Sequence, residues 1–239
     1  MCIAAVAWQA DPRWRIVAVA NRDEFHARPT APLSRWNDGS GIVAGRDLRS
    51  GGTWLGASRS GRFALLTNFR AHQPPDPAAP SRGGLVAGWL ASGRWPQAAE
   101  RYSGFNLLLA DDEDLAIVSN RPAPHSAEPG TGILGLSNGP HDSLWPKTRR
   151  LCARLSRWLN QGSGDRAPLF AALAEDGPDA PAESEDAPIF IRDPVYGTRS
   201  STVFTLDHQG KARIEERSFD AQGGVTGTVV LEWRVGTAR

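Results

Sequence analysis

Cys2 carries the most chemistry of any single position in this sequence of 239 residues. Methionine aminopeptidases remove Met1 when the next residue is small, which leaves a thiol and a free α-amine on the same residue. An α-amine with a pKa of about 7.7 to 8.0 is partly neutral at pH 7 and can take the thiol proton, so nucleophile and base arrive together. The plain alternative is a small apolar residue at the head of a strand. Asn21-Arg22-Asp23-Glu24 is the next block of interest. A guanidinium beside the thiol favours the thiolate, and a neighbouring carboxylate can hold that guanidinium. Asn68 and Asn138 each stand at the end of an apolar run; Asn138 is followed directly by Gly139-Pro140, and a predicted hairpin sets Gly51-Gly52 roughly opposite Asn68. An amide beside bare backbone is a common way to build an oxyanion site, although each asparagine also suits a turn. Arg199 sits where a loop feeds a strand, a usual place for site residues.

These residues need elements to hold them. Cys2 to Trp8 and Arg15 to Ala20 are apolar, β-prone runs around Asp11-Pro12, and a hairpin with its turn there sets Cys2 opposite residue 21 or 22. A second hairpin pairs Thr53 to Ser58 with Phe63 to Thr67, which sets Gly51-Gly52 roughly opposite Asn68. A third pairs Phe105 to Ala110 with Leu115 to Asn120 across an acidic tip. Short helical patterns cover Leu85 to Ser92 and Gln97 to Tyr102, and Gly132 to Leu136 reads as a strand. Trp145 to Asn160 is the strongest helix, with Pro146 in its first turn and Leu151, Leu155, Trp158 and Leu159 on one stripe. Cys152, inside it, reads as a small buried hydrophobe. Pro168 to Ala174 is a shorter helix, and strands return at Ser201 to Asp207, Ala212 to Ser218 and Thr228 to Val235. Pro-rich residues 71–84 and acidic residues 175–188 read as mobile loops. Strand pairs, then helices, then strand pairs predict an α+β fold of two mainly antiparallel sheets with helices outside, in a single domain over 1–239.

Composition narrows the function. A net charge of +1 gives no global field for nucleic acid, and no apolar run is long enough for a membrane-spanning helix. Two cysteines without CxxC spacing favour a reducing, cytoplasmic setting, and the residues after Met1 lack the pattern of a secretory signal. Only Lys147 and Lys211 are lysines among 27 basic residues, so a lone arginine is the default surface cation. Metal ligation is not expected, since His26, His72, His125, His141 and His208 are scattered without ligand spacing.

Cys2, Asn21-Arg22-Asp23-Glu24-Phe25, Gly51-Gly52-Thr53-Trp54-Leu55-Gly56, Leu66-Thr67-Asn68, Gly104-Phe105-Asn106-Leu107, Gly135-Leu136-Ser137-Asn138 and Tyr196-Gly197-Thr198-Arg199 together resemble the transport and Golgi organisation 2 family, or NRDE proteins. That family is similar to the N-terminal-nucleophile hydrolases, which implies an αββα sandwich. The nearest pattern is that of penicillin V acylases and bile-salt hydrolases. By that resemblance Cys2 is nucleophile and base, Arg22 and Asp23 position it, Asn68 and Asn138 serve the oxyanion and the amine, and Arg199 supports the charged intermediate. Glu24, Gly52 and Trp54 are the matching candidates for substrate binding. The acylase pattern places its aspartate three residues after the arginine, where this sequence has Phe25, so either Asp23 or Glu24 is the carboxylate that reaches the thiol. The implied activity is cofactor-free hydrolysis of a non-peptide amide or thioester of a small apolar molecule. Family association also implies an alternative, a non-enzymatic carrier of haem or a lipid-like cofactor, with the nine tryptophans available to line an apolar pocket. A rival nucleophile elbow, Gly135-Leu136-Ser137-Asn138-Gly139, lacks the helix that must follow it directly.

Overall fold

A computed structural model describes residues 2–69, 78–177 and 187–236. β1 (Ile3–Asp11) and β2 (Trp14–Phe25) are followed by β3 (Thr30–Arg35), β4 (Ile42–Asp47), β5 (Leu55–Ser58) and β6 (Phe63–Asn68). Helix α1 (Gly83–Ser92) and a 3₁₀ turn at Ala99–Arg101 lead to β7 (Phe105–Ala110), β8 (Leu115–Ser119), β9 (His125–Ala127) and β10 (Gly132–Leu136). Helices α2 (Pro146–Gln161) and α3 (Ala167–Leu173) precede β11 (Tyr196–Asp207), β12 (Lys211–Phe219) and β13 (Val225–Arg234). The class is α+β with two antiparallel sheets, as the alternation of strand and helix pairs predicts.

The chain divides into two compact units. One comprises the described residues of Met1–Ala27 and Thr131–Glu232. Its six-stranded sheet has the order β10-β1-β2-β11-β12-β13. The side-chain period of a strand is two, so Ile3, Ala5 and Ala7 of β1 and Val17 and Val19 of β2 share one face. On that face they pack with Leu151, Leu155, Trp158 and Leu159 of α2 and Leu169, Phe170 and Leu173 of α3. The apolar stripe seen in the sequence of α2 is thus the seam between helix and sheet.

The other unit comprises the described residues of Arg28–Gly130 and Trp233–Arg239. Its seven strands run in the order β3-β4-β5-β6-β7-β8-β9. Leu85, Val86, Trp89 and Leu90 of α1 bury against Ala64 and Leu66 of β6 and Phe105 and Leu107 of β7.

Three expectations change. The helix over Gln97 to Tyr102 shrinks to the turn Ala99–Arg101, because Ala98 takes a left-handed φ of 51°, which a right-handed helix cannot include. β3, β4 and β9 are added strands, and β11 begins at Tyr196, five residues before the expected Ser201. Of the loops expected over 71–84 and 175–188, residues 71–77 and 178–186 lie outside the described residues. Gly83 and Gly84 already belong to α1, and Glu175 is fixed by Arg150 and Arg154 at 3.3 and 2.9 Å.

Candidate active site

The first hairpin forms in the expected register, with Ile3 opposite Asn21 and Ala4 opposite Ala20. Carried one residue further, that register sets Cys2 opposite Arg22. On the other side β1 pairs with β10, where Ala4 faces Leu136, so the same step of two residues sets Cys2 level with Asn138. Arg22 in turn is paired with Ser200 of β11. One row across the sheet therefore reads Asn138, Cys2, Arg22, Ser200. Cys2 is 7% exposed, Arg22 6% and Asn138 0%, so the row is buried at its centre.

Alternation along β2 separates the two acidic neighbours of Arg22. Glu24 shares the Arg22 face and lies 3.9 Å from its guanidinium, half-buried. Asp23 turns to the helix side, where it is 4% exposed and accepts the Thr198 hydroxyl at 2.7 Å. Burial pushes the Asp23 carboxyl up to about 6, against the opposing pull of the N-terminal ammonium, the Thr198 hydrogen bond, Lys147 and Arg22. Burial likewise pushes the Cys2 thiol up, and the Asp23 carboxylate adds to that. The N-terminal ammonium, a hydrogen bond from the Asp23 main chain and the Arg22 charge work in the other direction, towards thiolate.

Arg199 is the extra residue of a β-bulge. The β2–β11 register steps from Asp23–Thr198 to Arg22–Ser200, leaving Arg199 without an opposite number. Its guanidinium turns onto the Phe25 and His26 carbonyls at 3.0 and 3.1 Å and feels the charges of Arg22 and Glu24. It braces the exit of β2, the segment that carries Arg22 and Asp23.

Asn68, Gly52 and Trp54 belong to the other compact unit. Asn68 ends β6, half-buried and paired with Phe105. The second hairpin holds its predicted register as far as Trp54, whose carbonyl accepts the Leu66 N–H at 2.7 Å. Beyond it the chain leaves the ladder, and the Gly52 carbonyl takes the Asp47 N–H at 2.9 Å. A Cβ on Gly52 would lie 2.5 Å from the Gly83 main chain, so glycine is required there for backbone to pass backbone at the start of α1.

Lys147 is the residue sequence reasoning missed. It stands in the first turn of α2, 1% exposed, with its charge felt by both Asp23 and Cys2. Extending the 151, 155, 159 stripe back by one turn lands on it, and that was the available signal. Gly135 of β10 makes the approach possible, because a Cβ there would lie 2.5 Å from Thr148 Cγ2 and 2.9 Å from Cys152 Sγ. Gly139, just after Asn138, is pressed as closely on the Trp145 indole. The end of β10 and the start of α2 thus form one packed corner around the head of β1. Cys152 is the less reactive neighbour in that corner, since burial pushes its thiol up to about 11 and disfavours the thiolate. Ser137 lies on β10's way out to the turn at Gly139, with α2 beginning only at Pro146, so the elbow geometry is absent.

The sequence pattern of the Transport and Golgi organisation 2 family matches residues 1–221. The chain belongs to that family. It is 32% identical to the Transport and Golgi organization protein 2 homolog of Bos taurus and 30% identical to that of Homo sapiens, in each case over 91% of this chain and 93% of the relative. Among solved structures it is similar to a Caenorhabditis elegans ortholog of N-acylethanolamine-hydrolyzing acid amidase, with a TM-score of 0.53 and 12% identity over 84% of this chain and 92% of that one. It is similar to penicillin V acylase from Agrobacterium tumefaciens, with a TM-score of 0.52 and 15% identity over 91% and 83%. A mutant conjugated bile acid hydrolase from Clostridium perfringens gives a TM-score of 0.58 and 7% identity over 96% and 92%. These likenesses show the fold, that of the N-terminal-nucleophile hydrolases, which the motifs around Cys2 and Arg22 imply. No helix among the described residues of this family member is long and apolar enough to cross a membrane.

Proposed function

We propose that this chain is a cysteine amidohydrolase of N-terminal-nucleophile type, acting on a non-peptide amide or thioester bond of a small apolar molecule. The observation that carries the reading is the strand register, which, continued past Ile3–Asn21 and Ala4–Leu136, brings Asn138 and Cys2 level with Arg22, all three buried, with Asp23 buried as the next residue of β2. Once Met1 is removed, the Cys2 α-amine accepts the thiol proton and Sγ adds to the substrate carbonyl. Arg22 stabilises the sulfur's charge, and the Asn138 amide supplies a donor for the oxyanion. Collapse of the tetrahedral adduct expels the amine, which takes the proton back, and leaves an acyl thioester on Cys2. Water, deprotonated by the same α-amine, releases the acid and restores the thiol. Asn68 is assigned a second donor role by family resemblance, and Arg199 holds the β2 exit that presents Arg22.

The three structural neighbours are named an N-acylethanolamine-hydrolyzing acid amidase, a penicillin V acylase and a conjugated bile acid hydrolase, which supports an N-acyl amide as the bond class proposed here. Carriage of haem or a lipid-like cofactor is the alternative implied by family association, and no step of the hydrolysis is routed through such a ligand.

The test combines intact mass with turnover. Mass spectrometry reports whether residue 1 has been removed, and a panel of fatty N-acyl amides and acyl thioesters is offered to the wild type and to Cys2→Ala. Hydrolysis by the processed wild type alone is the expected result. Equal turnover by the two proteins, or none by a fully processed chain across the panel, overturns the enzymatic reading.

A further inference from the structure

We propose that Lys147 is a positioning residue for the nucleophile: a buried ammonium that offsets the charge of the Cys2 thiolate and of Asp23, and so sets the pH at which Cys2 reacts. The proposal rests on Cys2 being the nucleophile and adds the group that makes its ionisation affordable inside the fold.

The geometry is specific. Lys147 is fully buried on the first turn of α2, and the helix is held against β1 and β10 by Leu151 and Leu155 packing on Ile3 and Ala5. Gly135 allows that turn to sit almost on the strand. The ammonium lies 5.6 Å from the centre of the Trp145 ring, which is itself clamped under Gly139. A cation rarely stays buried unless an anion faces it. Here the groups that face it are Cys2 from the head of β1 and Asp23 from β2, with Arg150 of its own helix opposing. The N-terminal ammonium acts on the same two partners ahead of any side-chain cation, and Arg22 acts on them from β2. Asn138 at the end of β10 and Thr198 of β11 are the neutral polar members of the surroundings. With Asp23 ionised, the N-terminal ammonium and Lys147 both offset its charge. When the thiol loses its proton, these two cations and Arg22 act on two negative groups, which is the arrangement a low-dielectric site needs to hold a thiolate.

The experiment uses the full chain and needs no substrate. Iodoacetamide alkylation of Cys2, followed by peptide mapping to separate it from Cys152, is measured from pH 5 to pH 10 in wild type, Lys147→Met and Lys147→Arg. The Met variant is expected to raise the midpoint for Cys2 by about one pH unit, and to slow alkylation at pH 7 about tenfold, while Arg restores part of the shift. A residue that merely packs would change the melting temperature and leave the midpoint in place. Because Lys147 and Lys211 are the two lysines of the chain, ¹⁵N-lysine labelling gives two side-chain signals, and Lys211→Arg assigns them. In a chain with lysine retained at 147, Asp23→Asn is expected to lower the Lys147 titration midpoint by about one unit. A folded Lys147→Met whose Cys2 midpoint stays within about 0.2 units overturns the proposal. So does an unchanged Lys147 midpoint in Asp23→Asn, which decides the matter if the Met variant fails to fold. A chain that hydrolyses nothing but shows both shifts loses the hydrolase reading and keeps this one.

Discussion

Thr198 donates its hydroxyl to Asp23 Oδ1 at 2.7 Å across the β2–β11 pair, and the same hydroxyl oxygen accepts the Ile191 N–H at 2.9 Å. One side chain thereby satisfies a buried carboxylate and a buried main-chain donor. Thr198→Val keeps the shape and removes both bonds. Unfolding in urea is expected to show a loss of about 2 to 3 kcal/mol, because a buried N–H and a charged acceptor each lose a partner. The Asp23 carboxyl, deprived of a bond that favours its ionised form, would titrate above its present value of about 6.

Asp23 makes folding depend on pH in an unusual direction for a carboxyl group. It titrates near 3.8 in an unfolded chain and at about 6 in the fold, so between those values the folded state holds more protons and stability falls as pH rises. The penalty is absent below 3.8 and complete above about 6, where a shift of that size amounts to roughly 3 kcal/mol. Asp23→Asn cannot titrate. Its stability relative to wild type is therefore expected to rise from pH 4 to pH 7 by an amount of that order, measured as the difference between paired denaturation curves. A constant difference over that range would place the raised carboxyl elsewhere.

Gly135 and Gly88 make opposite predictions from the same substitution. At Gly135 an added methyl meets Thr148 Cγ2 at 2.5 Å and Cys152 Sγ at 2.9 Å, both on the buried face of α2. Gly135→Ala is expected to cost about 1 to 3 kcal/mol and to reduce Cys2 reactivity, because the turn that carries Lys147 is pushed off the sheet. At Gly88, in the middle of α1, nothing lies within 4 Å of the added atom. Gly88→Ala should raise stability by about 0.5 to 1 kcal/mol through helix propensity alone. Thermal unfolding of the two variants beside wild type checks both signs.

The parts of the site that lie on hairpins were legible in the sequence. Apolar runs on either side of Asp11-Pro12 fix which residue faces Cys2, since a slip by one would turn every side chain over. The tips at residues 59–62 and 111–114 did the same for β5 with β6 and β7 with β8. β3 escaped because Pro32 and its polar neighbours hide an edge strand, and β4 shows only Ile42, Val43 and Ala44 before its polar end. Lys147 escaped for a different reason. Its partners are supplied by strands more than a hundred positions away, and the sequence near it shows only a cation on an amphipathic helix. The split between Asp23 and Glu24 was likewise open until the pairing of β11 with β2 set Asp23 beside Thr198 and left Glu24 with Arg22.

Asn21, next to Arg22, anchors the reactive segment to the helix layer. Its Nδ2 donates to Leu173 O at 2.8 Å and to Ile189 O at 2.9 Å, while its Oδ1 accepts the Ser201 hydroxyl at 2.6 Å. The first acceptor ends α3 and the second lies on the segment before β11, so one amide ties three pieces of chain to β2. Asn21→Leu fits the volume but strands two carbonyls and a hydroxyl in the interior, with an expected loss of about 2 to 4 kcal/mol. Ser201→Ala alone removes one donor and should cost about 1 kcal/mol. Because the two side chains share a bond, the double variant Asn21→Leu with Ser201→Ala is expected to fall short of the sum of the singles by at least about 0.5 kcal/mol. Strict additivity in chemical denaturation would mean that Ser201 finds another acceptor. Arg22 would then be held in place by the β11 bulge and its pairing to Ser200 rather than by the anchor beneath its neighbour.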